Sequence, residues 1–255
     1  MVIFWLRIAR ISTHHFQHLL KLLIISVWIL IKMTNVITID GPSGVGKGTI
    51  SEYLSDQLKW NYLNSGALYR AIAWVARNDS INLDDIIGLE CASKNIEFSL
   101  KSKKLKIVYK NKEIGSLIYN EEVAKIASKV SSKPKVRQSI INIQRSFKKE
   151  PGLVAEGRDM GSVIFPESQL KIFLTASIET RAQRRFKQLK DREFNVSLPA
   201  LIEDLDARDR RDKERKSSPL VIPEGAFVIE TDDLTVVEVK KAVNEKVNET
   251  YGTDI

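Results

Sequence analysis

The chain reads as an α/β protein, a parallel sheet core with helices on both faces and two inserted segments. Three observations support this reading. Short apolar runs recur at 36–40, 153–156, 170–174 and 226–229. Strands apolar on both sides belong to sheets covered on both faces, which are parallel. Stretches with helical spacing separate these runs, and alternation of that kind implies βα units. Between 96 and 114 the texture changes to strict apolar–polar alternation, which marks a separate antiparallel insert. With 255 residues, 43% of them hydrophobic, the chain can bury one large core.

The elements follow in order. Val36 to Asp40, VITID, is a β-branched apolar run and predicts a buried strand. The next nine residues are Gly41, Pro42, Ser43, Gly44, Val45, Gly46, Lys47, Gly48 and Thr49, with the spacing G-x-x-x-x-G-K. Ile50, Leu54 and Leu58 then fall four apart, as on one helix face. Strand, glycine loop and helix in this order form a phosphate cradle. The loop N–H groups and the helix N-terminus point positive dipole at anionic oxygens. Glycine lets the backbone curl and approach closely, and Lys47 adds a mobile point charge.

Residues 60–63 predict a short strand, and Asn64-Ser65-Gly66 a turn into a helix carrying Leu68, Ile72 and Val75. A further helix is expected near 84–94. Residues 96–100 and 105–109 read as a hairpin, with a third strand at 112–114. Helices follow at 121–130 and from Pro134 to about residue 149, where proline suits the first helical position. Pro151-Gly152 returns the chain to the core, and the strand at 153–156 ends in Glu156. Helices near 179–190, 199–216 and 235–249 complete the alternation. The core is therefore 33–63, 151–180 and 217–255, interrupted by a mixed insert at 64–150 and an arginine-rich one at 181–216.

The net charge of +8 would admit nucleic acid as a partner. Residues 1–32 carry Arg7, Arg10, Lys21 and Lys32 and no acid, so the rest has 36 basic against 32 acidic residues, a balance of +4. Half the excess belongs to this leader, and a nucleic-acid role loses its support. One cysteine, Cys91, excludes an internal disulfide and a thiolate cluster and suits a reducing compartment. The apolar run at 16–31 is shorter than the roughly 20 residues that span a bilayer, and no small-residue cleavage site follows it. Met33 is read as the true start, with residues 1–32 upstream of it; a membrane anchor or an organelle presequence is the alternative. His14, His15 and His18 have no acid beside them and are read as incidental rather than as metal ligands.

Arg208, Asp212 and Arg215 fall i, i+4, i+7 and share one helix face, as do Arg181, Arg184 and Arg185. Surrounded by Asp204, Asp206, Asp209 and Glu214, they could be a solvated surface. Beside a phosphate loop they are read as cations gathered around a migrating phosphoryl group. A GTP-dependent switch would need N-K-x-D; the chain has Asn111-Lys112-Glu113-Ile114, read as a turn with a charged tip.

Four stretches resemble the bacterial cytidylate kinase family: GPSGVGKGT (41–49), NSGALYR (64–70), EGRDMG with VIFP (156–166) and RDRRDKERKSSPL (208–220). The resemblance covers everything after the leader. It implies the P-loop nucleoside monophosphate kinase fold, with an acceptor lobe at 64–150 that contains a small antiparallel sheet and a mobile lid at 181–216. It implies ATP-dependent phosphorylation of CMP and dCMP with Mg²⁺; UMP, AMP or a non-nucleotide acceptor would be the rivals. By resemblance, ATP lies in the loop and against Arg181 and Arg185, with Thr49 at the metal and Glu156 orienting metal-bound water. Ser65 and Arg70 hold the acceptor, and Ser128, Arg137, Arg158 and Asp159 surround its base and phosphate. Arg208 and Asp212 reach sugar and phosphate, and Arg215 the group in transfer. Lys47, Arg158, Arg208 and Arg215 are the expected catalytic residues. Asn64 stands where the family commonly has Asp, and Glu156 is one methylene longer than the Asp of some members. A cytoplasmic monomer binding neither nucleic acid nor membrane is expected.

Overall fold

The computed structural model describes residues 34–102, 104–191 and 196–255. The leader, its histidines and the Met33 start lie outside them. The strands are β1 (Val36–Asp40), β2 (Asn61–Asn64), β3 (Ile96–Lys101), β4 (Lys104–Tyr109), β5 (Lys112–Glu113), β6 (Leu153–Gly157), β7 (Leu170–Thr175) and β8 (Phe227–Glu230). The helices are α1 (Lys47–Leu58), α2 (Ser65–Asn78), α3 (Ile86–Lys94), α4 (Glu121–Val130), α5 (Pro134–Arg145), α6 (Ile178–Lys190), α7 (Leu198–Glu214) and α8 (Val236–Tyr251).

Five strands form a parallel sheet in the order β2-β6-β1-β7-β8. Val36 faces Leu153 on one side of β1, and Ile37 faces Leu170 on the other. Every residue of β1 and β6 is buried, as two-sided apolar strands require. Acidic side chains gather at the carboxyl ends, where Asp40 lies opposite Gly157 and Asn64 opposite Glu156. A crevice outside these ends is the expected ligand site of such sheets.

The insert at 64–150 packs on one core. Leu68, Ile72 and Val75 of α2 are fully buried with Ile96, Ile107 and Ile140, each contributing roughly 1.5–3 kcal/mol. Its small sheet is antiparallel, with Phe98 facing Ile107 and Leu100 facing Leu105. Lys110 and Asn111 take positive φ values of 47° and 62°, so the N-K-E stretch follows a tight hairpin turn. The α6–α7 arm has a smaller core of Ala182, Leu189, Leu201 and Leu205.

Several boundaries differ from the sequence expectation. The helix expected at 199–216 ends at Glu214, where the backbone turns extended, so Arg215 lies past α7 and not on the helix face of Arg208 and Asp212. Asn64-Ser65-Gly66 is not a free turn: the Asn64 side chain accepts the Ala67 N–H at 3.0 Å and caps a helix that starts at Ser65. The helix from Pro134 stops at Arg145 rather than near 149. The Asn61 amide of β2 draws on the carbonyls of Lys149 (2.8 Å) and Gly152 (3.0 Å), fixing this stretch as the lead-in to β6. A short π-turn, Met160–Ile164, was not foreseen.

Candidate active site

The glycine loop joins β1 to α1. At Gly41 φ is 147°, and a Cβ would lie 2.1 Å from the Leu174 carbonyl oxygen of β7, so only glycine fits. Gly44 and Gly46 also hold positive φ, and Gly46 starts α1. Lys47 folds back over the loop and donates to the Pro42 carbonyl at 2.6 Å. Burial, then the charge of Arg158, pushes its pKa well below the ordinary lysine range. A phosphate placed there would offset both effects.

Behind the loop stand two buried carboxylates. Glu156 accepts the Tyr62 hydroxyl at 2.7 Å, and burial raises its pKa against the pull of Lys47. Asp40 is pushed up to about 6 by burial, opposed by the N–H groups of Gly161 and Met160. Those bonds, 2.8 and 2.9 Å, fasten the π-turn to the root of the loop. Arg158 and Asp159, immediately before that turn, are thereby fixed against β1.

A chain of ion pairs then crosses three parts of the fold. Arg137 of α5 pairs with Asp159, both buried. Arg215, just past α7, lies 3.9 Å from Asp159 and 3.6 Å from Asp212. Arg158 donates to Asp212 at 2.8 Å. Burial alone would raise the Asp212 pKa, but Arg158, Arg208 and Arg215 outweigh it and hold it below the usual range. Arg208 is driven down to about 10 by burial and then by Arg158. Three further contacts tie α4 to the arm: Glu121 with Arg185, Lys125 with Asp204 at 3.1 Å, and Ser128 with Arg211 at 3.2 Å.

Between these groups lies a cleft of about 840 Å³. Ser43 to Thr49 of the loop line it with Arg70, Ser128, Glu156, Arg158, Arg185 and Arg208. Gly41 and Pro42 sit at the loop's root, outside the lining. Ser65, Arg137, Asp159, Asp212 and Arg215 also lie off the lining, buried at 8% exposure or less.

Arg181, expected against ATP, is buried beneath the loop and lies off the cleft lining. Its guanidinium donates to the carbonyls of Ala176, Ser177 and Ser43 at 3.1–3.2 Å and pairs with Asp209 at 2.6 Å. Its neighbour Arg184 lines the cleft instead, braced on the Thr231 hydroxyl at 2.9 Å. Thr231, Leu234, Val236 and Tyr119 also line the cleft and were missed. The sequence signalled only the capping box of α8, Thr235 with Glu238, and not where that end of α8 comes to rest.

The cytidylate kinase family model matches residues 37–249. The chain belongs to the cytidylate kinase family. A cytidylate kinase of Colwellia psychrerythraea is 44% identical over 209 residues, 81% of this chain and 92% of that protein. Those of Methylococcus capsulatus and Coxiella burnetii are 46% and 44% identical, covering 80% and 86% of this chain and 92% and 94% of theirs. The stretch matched by the cytidylate kinase family contains the loop, the cleft and the ion-pair chain. Among the described residues no helix is long and apolar enough to cross a membrane.

Proposed function

We propose that this cytidylate kinase family member transfers the terminal phosphoryl group of ATP to CMP and dCMP, giving CDP and dCDP. One observation carries the reading. The phosphate loop with Lys47 and the cations Arg70, Arg158 and Arg208, from three separate elements, meet in a single cleft. Two anionic phosphate chains brought end to end need that surround.

The loop holds the ATP phosphates, and Arg184, Leu234 and Val236 mark the wall for its nucleoside end. The segment 64–150 serves as the acceptor lobe and 181–216 as the lid. The acceptor phosphate lies against Arg70, Arg158 and Arg208, and Asp159 with Arg137 reads the base. Cytosine presents an amino donor where uracil presents a carbonyl, so a carboxylate at Asp159 favours the former. Arg215 and Asp212 close the acceptor side. The second ionisation of a phosphate monoester lies near pH 6, so the nucleophile is already anionic and needs no general base. Alignment and charge neutralisation supply the rate, and closure of the arginine arm keeps water from the phosphoryl group.

The site suits Mg²⁺. The nearby donors are hard oxygens, the Thr49 hydroxyl and the buried Glu156 carboxylate. Mg²⁺ bound with a nucleotide takes most of its ligands from phosphate and water, so one or two protein oxygens suffice. Thr49 would contact it, directly or through water, Glu156 would orient water bound to it, and it would neutralise charge on the ATP oxygens. The reaction is assigned to the cytoplasm, since a secreted protein would be cut off from ATP.

The test is initial-rate measurement with ATP and each of CMP, dCMP, UMP and AMP. CMP and dCMP should be turned over with the highest kcat/KM. A higher value with UMP or AMP overturns the acceptor assignment.

A further inference from the structure

Tyr119 stands in the cleft wall just before α4 with 56% of its surface exposed. Its ring centre is 5.7 Å from Cζ of Arg70, on α2. The residues on either side grip the same side chain: Arg70 Nη1 donates to the Ile118 carbonyl at 3.2 Å and to the Asn120 carbonyl at 3.4 Å. Three consecutive residues thus hold one guanidinium, two by its edge and one by its face. Both bonds use Nη1, and among the described residues no bond from Nε or Nη2 accompanies them. That second edge has the fork geometry that grips two phosphate oxygens.

Arg70 needs such a brace. Burial lowers its pKa; the charge of Glu121 opposes that shift, and the like charges of Arg185 and Arg158 add to it. A guanidinium among charges of both signs keeps a single direction only where neighbouring groups hold it. A ring face attracts the guanidinium without competing for its N–H groups.

We propose that Tyr119 is a positioning residue for the acceptor, its ring holding the Arg70 guanidinium so that the Nε–Nη2 edge meets the acceptor phosphate. The inference rests on the assignment of Arg70 to that phosphate. The test uses Tyr119→Leu, Tyr119→Phe, Arg70→Met and the Tyr119→Leu/Arg70→Met double variant, with KM measured separately for CMP and ATP. Tyr119→Leu should raise KM for CMP about two- to fivefold, the range of an exposed cation–ring contact, and leave KM for ATP unchanged. Tyr119→Phe should restore the parent value, because the ring and not the hydroxyl does the holding. Arg70→Met should raise KM for CMP at least tenfold, and adding Tyr119→Leu should then change nothing. The inference fails if Tyr119→Leu leaves KM for CMP unaltered, if Phe is as impaired as Leu, or if Leu adds a further loss without Arg70. In each of these cases an impaired Arg70→Met leaves the Arg70 assignment standing. An unimpaired Arg70→Met removes the assignment and the inference together.

Discussion

Replacing Arg181 by methionine distinguishes a brace beneath the loop from a contact with ATP. The Arg181 and Asp209 side chains are 6% and 10% exposed and paired at 2.6 Å. Among the described residues Asp209 Oδ1 has no hydrogen-bond partner. Removing the cation strands a buried carboxylate, which costs about 3–5 kcal/mol. For a domain of this size each kcal/mol moves Tm by about 2–4 °C, so the loss should be about 6–20 °C. Thermal denaturation followed by circular dichroism reads it directly. Removing both charges with Arg181→Met/Asp209→Leu should recover most of the loss, since no unpaired charge remains. An Arg181→Met protein that melts with the parent while its KM for ATP rises would refute the brace and return Arg181 to the nucleotide. So would a double variant that melts no higher than the single one.

Further outcomes concern the cleft and the insert. Lys47→Met should lower phosphoryl transfer at least about a hundredfold in single-turnover measurements, through loss of a cation at developing charge; near-normal turnover would contradict the cradle. Asp159→Asn should reduce the kcat/KM preference for CMP over UMP, and an unchanged ratio would take Asp159 out of base reading. Asp79 accepts the Tyr109 hydroxyl at 2.5 Å and Lys110 at 2.9 Å, and these bonds, the tyrosine's first, hold its pKa down to about 2 from 3.8. A folded pKa below the unfolded one stabilises above about pH 4 and is lost as pH falls toward 2. The Tm advantage of the parent over Asp79→Asn should therefore be full at pH 6, shrink between about pH 4 and 2 and vanish only below about pH 2; an advantage constant with pH would disprove the pairing.

The phosphate loop was legible because its chemistry is local: nine consecutive residues supply the curl, the N–H groups and the lysine. The apolar strands and the helix carrying Leu68, Ile72 and Val75 were legible because burial on one side imposes a period. Arg181 and Arg184 show where this ends. Their spacing places both on one face of α6, yet one is locked by Asp209 and the Ser43 carbonyl while the other reaches the cleft. Periodicity names the face and says nothing of what packs against each end of it. Asn64 was read as a turn residue because its polar side chain suits turns and helix caps alike; the choice rests on where Ala67 sits.

Taken alone, the order of residues determined the strand–loop–helix cradle, the parallel core and the two inserts, since these follow from short-range sterics and hydrophobic period. Tertiary structure decided which arginines face the cleft, which carboxylates they answer, and that Tyr119 and the Thr231–Val236 stretch belong to the same wall. Those groups lie tens of residues apart in sequence, and charge and hydrogen-bond geometry between them exist only once the chain has closed.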